Sequence, residues 1–78
     1  MERINKNQLQ NIRDWMAHFD IVIYDEKQYG DKYVFILDNM GLHSADIKGL
    51  QRYGDININL WAIEGTFRLA VVYYFELI

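Results

Sequence analysis

The chain has 78 residues, with 8 Lys+Arg against 11 Asp+Glu, a formal charge of −3, 15% aromatic residues, and neither Cys nor Pro. This composition excludes a disulfide scaffold, a thiolate metal site and a disordered chain, and the length supports one domain, residues 1–78. The mild acidity works against electrostatic capture of nucleic acid, falls short of an acidic mimic of it, and selects no function by itself.

Leu9, Ile12, Met16 and Phe19 recur on one face at helical spacing, and Trp15 widens the stripe. A helix is therefore predicted over roughly Lys6 to Phe19. Asn5 suits the N-cap, Gln8 completes a capping-box pair, and Ile4 and Leu9 occupy the two positions of a hydrophobic staple.

Two segments rich in β-branched and aromatic residues follow, Ile21–Glu26 and Lys32–Asp38, joined by Lys27–Asp31 with Gly30 at the turn. Placing Glu26 opposite Lys32 sets Tyr24 against Val34 and Val22 against Ile36. Both faces of this hairpin are largely apolar, which points to interior strands, or to one face covered by the helix and the other by something else. Asn39-Met40-Gly41 reads as a turn. Ser44 is then expected to cap a short helix running to Arg52, with Ile47 and Leu50 inward and Gly54 after its end. Gly49 weakens that helix by roughly 1 kcal/mol, and a loop or short strand is the alternative.

The second hairpin has the clearest strand pattern. Asp55–Ile63 alternates, and Glu64-Gly65 fits a two-residue turn. The turn sets Ile63 opposite Thr66, Ala62 opposite Phe67 and Trp61 opposite Arg68. One face then carries Ile56, Ile58, Leu60, Ala62, Phe67, Leu69, Val71 and Tyr73; the other carries Asn57, Asn59, Trp61, Thr66 and Arg68, with Tyr74 beyond.

The order α-β-β-(α)-β-β predicts an α+β fold: an N-terminal helix packed on a four-stranded antiparallel sheet, with a short second helix. The last strand overruns its partner, since Asp55 faces Tyr74, so the final residues need a neighbour from the first hairpin or from a second chain. The longest apolar run, Leu69–Phe75, is far short of the ~20 residues a membrane-spanning helix needs. Met1-Glu2-Arg3-Ile4-Asn5 has no signal pattern, so the cytoplasm is the expected compartment.

The inventory for catalysis is poor. Ser44 is the single serine and Thr66 the single threonine, and Ser44 beside His43 serves better as a helix cap than as a nucleophile. His18 follows Asp14 by one helical turn and Asp46 follows His43 by three residues, but neither pair belongs to a metal-binding pattern. His18 reads as a solvated residue suited to a helix C-terminus. Asp25 and Glu26 point to opposite faces of a strand and read as solubilising charges. The five glycines are dispersed at turns rather than gathered into a phosphate cradle. No enzyme and no cofactor are expected.

The surplus of large aromatics, 2 Trp and 6 Tyr, points instead to a protein-binding surface. The candidate contact residues are Trp61, Arg68, Asn57, Asn59, Tyr29, Tyr53 and Tyr74, with Arg68 packed as a cation on the Trp61 ring. The expected role is a regulator or inhibitor of a larger partner protein. In size and acidity the chain is similar in type to small inhibitors of phages and mobile elements, such as anti-CRISPR and immunity proteins, though no motif matches a named family. Two alternatives are a single-stranded nucleic-acid binder stacking bases on Trp61 and Arg68, and a self-assembling domain or homodimer joined through the C-terminal strand.

Overall fold

The computed structural model describes residues 2–39 and 41–78. Strand β1 (Glu2–Ile4) leads into helix α1 (Lys6–His18). The capping box forms as expected: the Gln8 N–H donates to Asn5 Oδ1 at 2.9 Å and the Asn5 N–H to Gln8 Oε1 at 2.8 Å. Leu9, Ile12 and Met16 are buried, and Ile4 joins them in the core. Phe19 does not. The helix ends one residue earlier than predicted, and Phe19 becomes its C-cap, half exposed and 4.6 Å from the Trp15 ring. The cause is a Schellman ending that the sequence reading lacks. Asp20 turns left-handed at φ 58, its N–H donates to the Ala17 carbonyl, and the Ile21 N–H reaches back to Met16 at 2.8 Å. Ile21 and Met16 bury together beneath it.

Strands β2 (Ile23–Tyr29) and β3 (Lys32–Leu37) form the first hairpin, with a tighter turn and a different register from those expected. Tyr29 pairs with Lys32, Lys27 with Val34 and Asp25 with Ile36, with an irregularity between Ile23 and Asp25. The reason is Gly30, which takes φ 58 and makes a two-residue turn with Asp31, so Lys27, Gln28 and Tyr29 continue the strand. Glu26 lies opposite Phe35, not Lys32. Only β3 is interior; β2 is an edge. Asn39 ties the start of this hairpin, accepting from the Val22 N–H at 2.7 Å and donating to the Asp20 carbonyl. The rest of the expected turn includes Met40, outside the described residues.

Helix α2 (Ser44–Leu50) runs into a 3-10 turn over Gln51–Tyr53. His43 rather than Ser44 holds the cap position, and its N–H donates to the Asp46 carboxylate. Leu50 is buried, and its carbonyl accepts from the Tyr73 hydroxyl at 2.6 Å.

Strands β4 (Ile56–Ile63) and β5 (Thr66–Tyr73) pair in the predicted register throughout, with Trp61 opposite Arg68. Glu64 and Gly65 both take positive φ, 52 and 79, as a type I′ turn requires. Strand β3 pairs antiparallel with β5, so the sheet order is β2-β3-β5-β4. The Tyr74 N–H donates to the Asp55 carbonyl. Strand β6 (Phe75–Leu77) then finds the neighbour it needs in β1, paired in parallel from Glu2–Phe75 to Ile4–Leu77. Neither the first hairpin nor a second chain fills that place.

The fold is thus α+β, with α1 on one face of the sheet. Its inner face carries Phe35, Leu37, Val71 and Tyr73 against Ile12, Met16 and Leu50. At the far end of the second hairpin the inner face has no cover: Leu60 is 65% and Phe67 67% exposed. A second, smaller cluster of Val34, Ile36, Ala70 and Val72 is buried on the outer face. No helix among the described residues is long and apolar enough to cross a membrane.

Candidate functional site

Among the described residues no helix packs on the outer face, yet Val34, Ile36, Ala70 and Val72 are almost wholly shielded. Trp61 and Ile63, both on edge strand β4, pack against them. Trp61 on β4 reaches across β5 and β3, over the small cluster, and meets the Tyr29 ring from β2 at 6.2 Å between centroids. Two intervening strands separate those backbones.

Tyr29, Trp61 and Tyr74 bound a shallow depression of about 420 Å³, floored by Val34 and Val72 and flanked by Lys32 and Asn59. Tyr29 is 49% exposed and Tyr74 38%, so the rings are anchored at one side and wet at the other. Asn57 fixes the third ring, donating to the Tyr74 hydroxyl at 2.7 Å. The Lys32 ammonium stands 5.9 Å from the Tyr74 ring centroid. Five of the seven predicted residues, Tyr29, Asn57, Asn59, Trp61 and Tyr74, therefore meet around one depression.

The other two go elsewhere. Arg68 shares the face and the register with Trp61, but its guanidinium lies 3.7 Å over the Tyr24 ring and donates to Asp38. The slide of the first hairpin brings Tyr24 there, so the expected stack on Trp61 gives way to a flat stack on a nearer ring. Tyr53 is on the opposite side of the molecule. It packs against the main core and lines a cleft with Glu2, Gln8, Asn11 and Arg52. Lys32, Val34 and Val72 were not singled out from the sequence. A two-residue reading of Gly30-Asp31 would have put Lys32 beside Tyr29 and Val34 one row further in.

A polar cluster also joins α1 to the first hairpin. Arg13 grips Glu26 with two nitrogens, Nε to Oε2 at 2.8 Å and Nη2 to Oε1 at 2.8 Å, and the Tyr33 hydroxyl donates to the same Oε1 at 2.6 Å. Burial alone would raise the Glu26 pKa, but the hydrogen bonds from Arg13 and Tyr33 outweigh it and hold the carboxyl below its ordinary value. Burial first, then the bond to Glu26, pushes the Tyr33 phenol up. Glu26 is thus a bonded tie between layers rather than a solubilising charge, and every polar atom of the trio faces another member or Gln10. Asp25 turns away and accepts from the Glu26 N–H. His18 meets Phe19 edge-on at the helix end. Among the described residues, no three His, Asp or Glu side chains gather as metal ligands would.

Comparison with protein-family models, with curated proteins and with solved structures finds no match to this chain.

Proposed function

We propose that the chain is a non-enzymatic protein-binding module that meets its partner with the outer face of the sheet, as a regulator or inhibitor of a larger protein. The observation that carries this is the depression bounded by Tyr29, Trp61 and Tyr74 over Val34 and Val72. Aromatic rings held on a rigid sheet lose little freedom on binding and supply much of the energy in protein interfaces. Asn57, Asn59 and Lys32 around them provide the polar rim that such surfaces carry. The small size and the net charge of −3 fit a modulator better than a catalyst.

Base stacking is the second reading, favoured by three rings and a lysine on one sheet face. Against it, the Arg68 charge is committed to Asp38 and Tyr24, which leaves phosphate tracking weak.

The test is capture from lysate of the native host, comparing the natural chain with a Trp61→Ala/Tyr29→Ala double variant whose fold is verified by circular dichroism. A partner retained by the first and lost by the second is expected. Capture unchanged by the double variant overturns the assignment. Oligonucleotide binding that falls steeply with salt would move the function to the second reading.

A further inference from the structure

The sheet has two edges, and they differ in kind. Edge strand β2 carries Asp25, Glu26 and Lys27 and an irregularity after Ile23, the features by which proteins discourage strand addition. Edge strand β4 has none of them. Its eight residues, Ile56–Ile63, include no charge, no proline and no bulge. Among the described residues no strand pairs with its outer side, and Asn57, Asn59, Leu60 and Ala62 along it are exposed.

The hairpin geometry fixes which backbone groups are free. Ile63 and Thr66 close a two-residue turn, so they exchange hydrogen bonds, and bonded pairs alternate from there. The Tyr74 N–H bonded to the Asp55 carbonyl lies in the same series. Odd-numbered residues therefore turn their N–H and C=O groups toward β5. Ile56, Ile58, Leu60 and Ala62 turn theirs outward.

We propose that β4 pairs antiparallel with β4 of a second copy across a two-fold axis at Asn59, joining two four-stranded sheets into one. That register sets Ile56 against Ala62 of the other copy and Ile58 against Leu60, and it uses all four outward residues in about eight backbone hydrogen bonds. The inner side of the seam is wholly apolar and extends the uncovered surface of Leu60 and Phe67. The outer side sets Asn59 against its own copy and Asn57 against Trp61. Asp55 and Glu64, at the strand ends, avoid directly opposed positions, where like charges destabilise a sheet. A second copy fits this edge better than a foreign strand because the edge is complementary to itself and brings no charge to the seam. The paired stretch is about 24 Å long, so the contact falls below the ~800 Å² per partner of a standard interface, and a weak, reversible dimer is expected. Each copy carries −3, so added salt tightens the pair.

Sedimentation of the full chain across micromolar to high micromolar concentration is the test. The mass is expected to rise from 9.4 kDa toward twice that value. Leu60→Pro removes an outward N–H and leaves the β4–β5 ladder intact, so it should stay folded and monomeric; Leu60→Lys does the same without touching the backbone. The chain has no cysteine, so Asn59→Cys should oxidise to a covalent dimer much faster than Lys6→Cys. The proposal is overturned if the natural chain stays monomeric throughout, if folded Leu60→Pro or Leu60→Lys still dimerises, or if the two cysteine variants cross-link equally. The seam runs along one rim of the outer-face depression through Asn57, Asn59 and Trp61, so the capture experiment is repeated with the monomeric Leu60→Lys, whose substituted side chain lies on the inner face; a partner it retains keeps the outer-face reading whatever the fate of the dimer.

Discussion

Trp15 on α1 presses so close to Gly49 on α2 that a Cβ at Gly49 would overlap the indole Cζ2 and stand 2.5 Å from Cη2. The glycine that weakens the short helix is thus the one that lets the two helices meet. Gly49→Ala ordinarily gains ~1 kcal/mol in a helix; here it should lose about 1–3 kcal/mol by overpacking. Urea unfolding measures it. In a Trp15→Ala background the obstruction is gone, and the same substitution should become neutral or stabilising.

The Arg13–Glu26–Tyr33 cluster shapes the pH dependence of stability at both ends. Glu26 has a lowered pKa, so the unfolded chain takes up its proton more readily than the native one. Its contribution is complete above the ordinary glutamate value of ~4.3 and fades as pH falls through the native value. Tyr33 runs the other way: its raised pKa favours the protonated phenol in the fold, so its contribution is complete below ~10 and fades as pH rises through the native value. Glu26→Gln should cost about 1–2 kcal/mol at neutral pH and flatten the acid arm of a urea-midpoint profile. Tyr33→Phe should flatten part of the alkaline arm, leaving the share of Tyr73, whose phenol burial also pushes up.

Arg68 acts in the fold as a flat cation on a ring rather than as an exposed binding group. Its guanidinium covers Tyr24, and its side chain is only 21% exposed. Arg68→Lys should therefore lose about 1 kcal/mol, since an ammonium cannot stack as the planar group does. Tyr24→Phe keeps the ring and should be nearly neutral, whereas Tyr24→Ala should cost as much as Arg68→Ala. A double-mutant cycle on thermal unfolding reads the coupling directly. Zero coupling would show that the two groups are merely adjacent.

Local signals carried the elements that were legible. Asn5 and Gln8 announce α1, and Glu64-Gly65 sets the register of the second hairpin without reference to anything distant. That register put Trp61, Asn57 and Asn59 on one face, which is most of the depression. The first hairpin misled because Lys27 and Gln28 look like loop residues, although an edge strand carries such side chains freely. The slide of that hairpin is what delivers Tyr29 to Trp61 and Tyr24 to Arg68, so these partnerships were invisible from either hairpin alone. The pairing of Glu2–Ile4 with Phe75–Leu77 joins two three-residue strands from opposite ends of the chain, too short to show a period. Tyr53 parts from the other candidates for a related reason: nothing in its neighbourhood says which side of the sheet the 3-10 turn will occupy.

Among the described residues, two hold left-handed backbone without being glycine, Asp20 at φ 58 and Glu64 at φ 52. Such a conformation costs an L-residue with a Cβ roughly 1–2 kcal/mol, and least for asparagine, whose short amide bonds locally. Asp20 also places a negative charge at the C-terminus of α1, where the exposed carbonyls already concentrate negative potential. Asp20→Asn relieves both effects, while Glu64→Asn relieves the first and supplies the Asn-Gly pair that a type I′ turn favours. Each substitution should raise stability by about 0.5–1 kcal/mol, read as a higher melting temperature with an unchanged circular dichroism spectrum. Asp20→Ala removes the charge but keeps the backbone cost, so it should match Asp20→Asn if the charge dominates and fall short if backbone conformation does. A lower melting temperature for Asp20→Asn would mean that the carboxylate contributes more to the fold than its backbone costs.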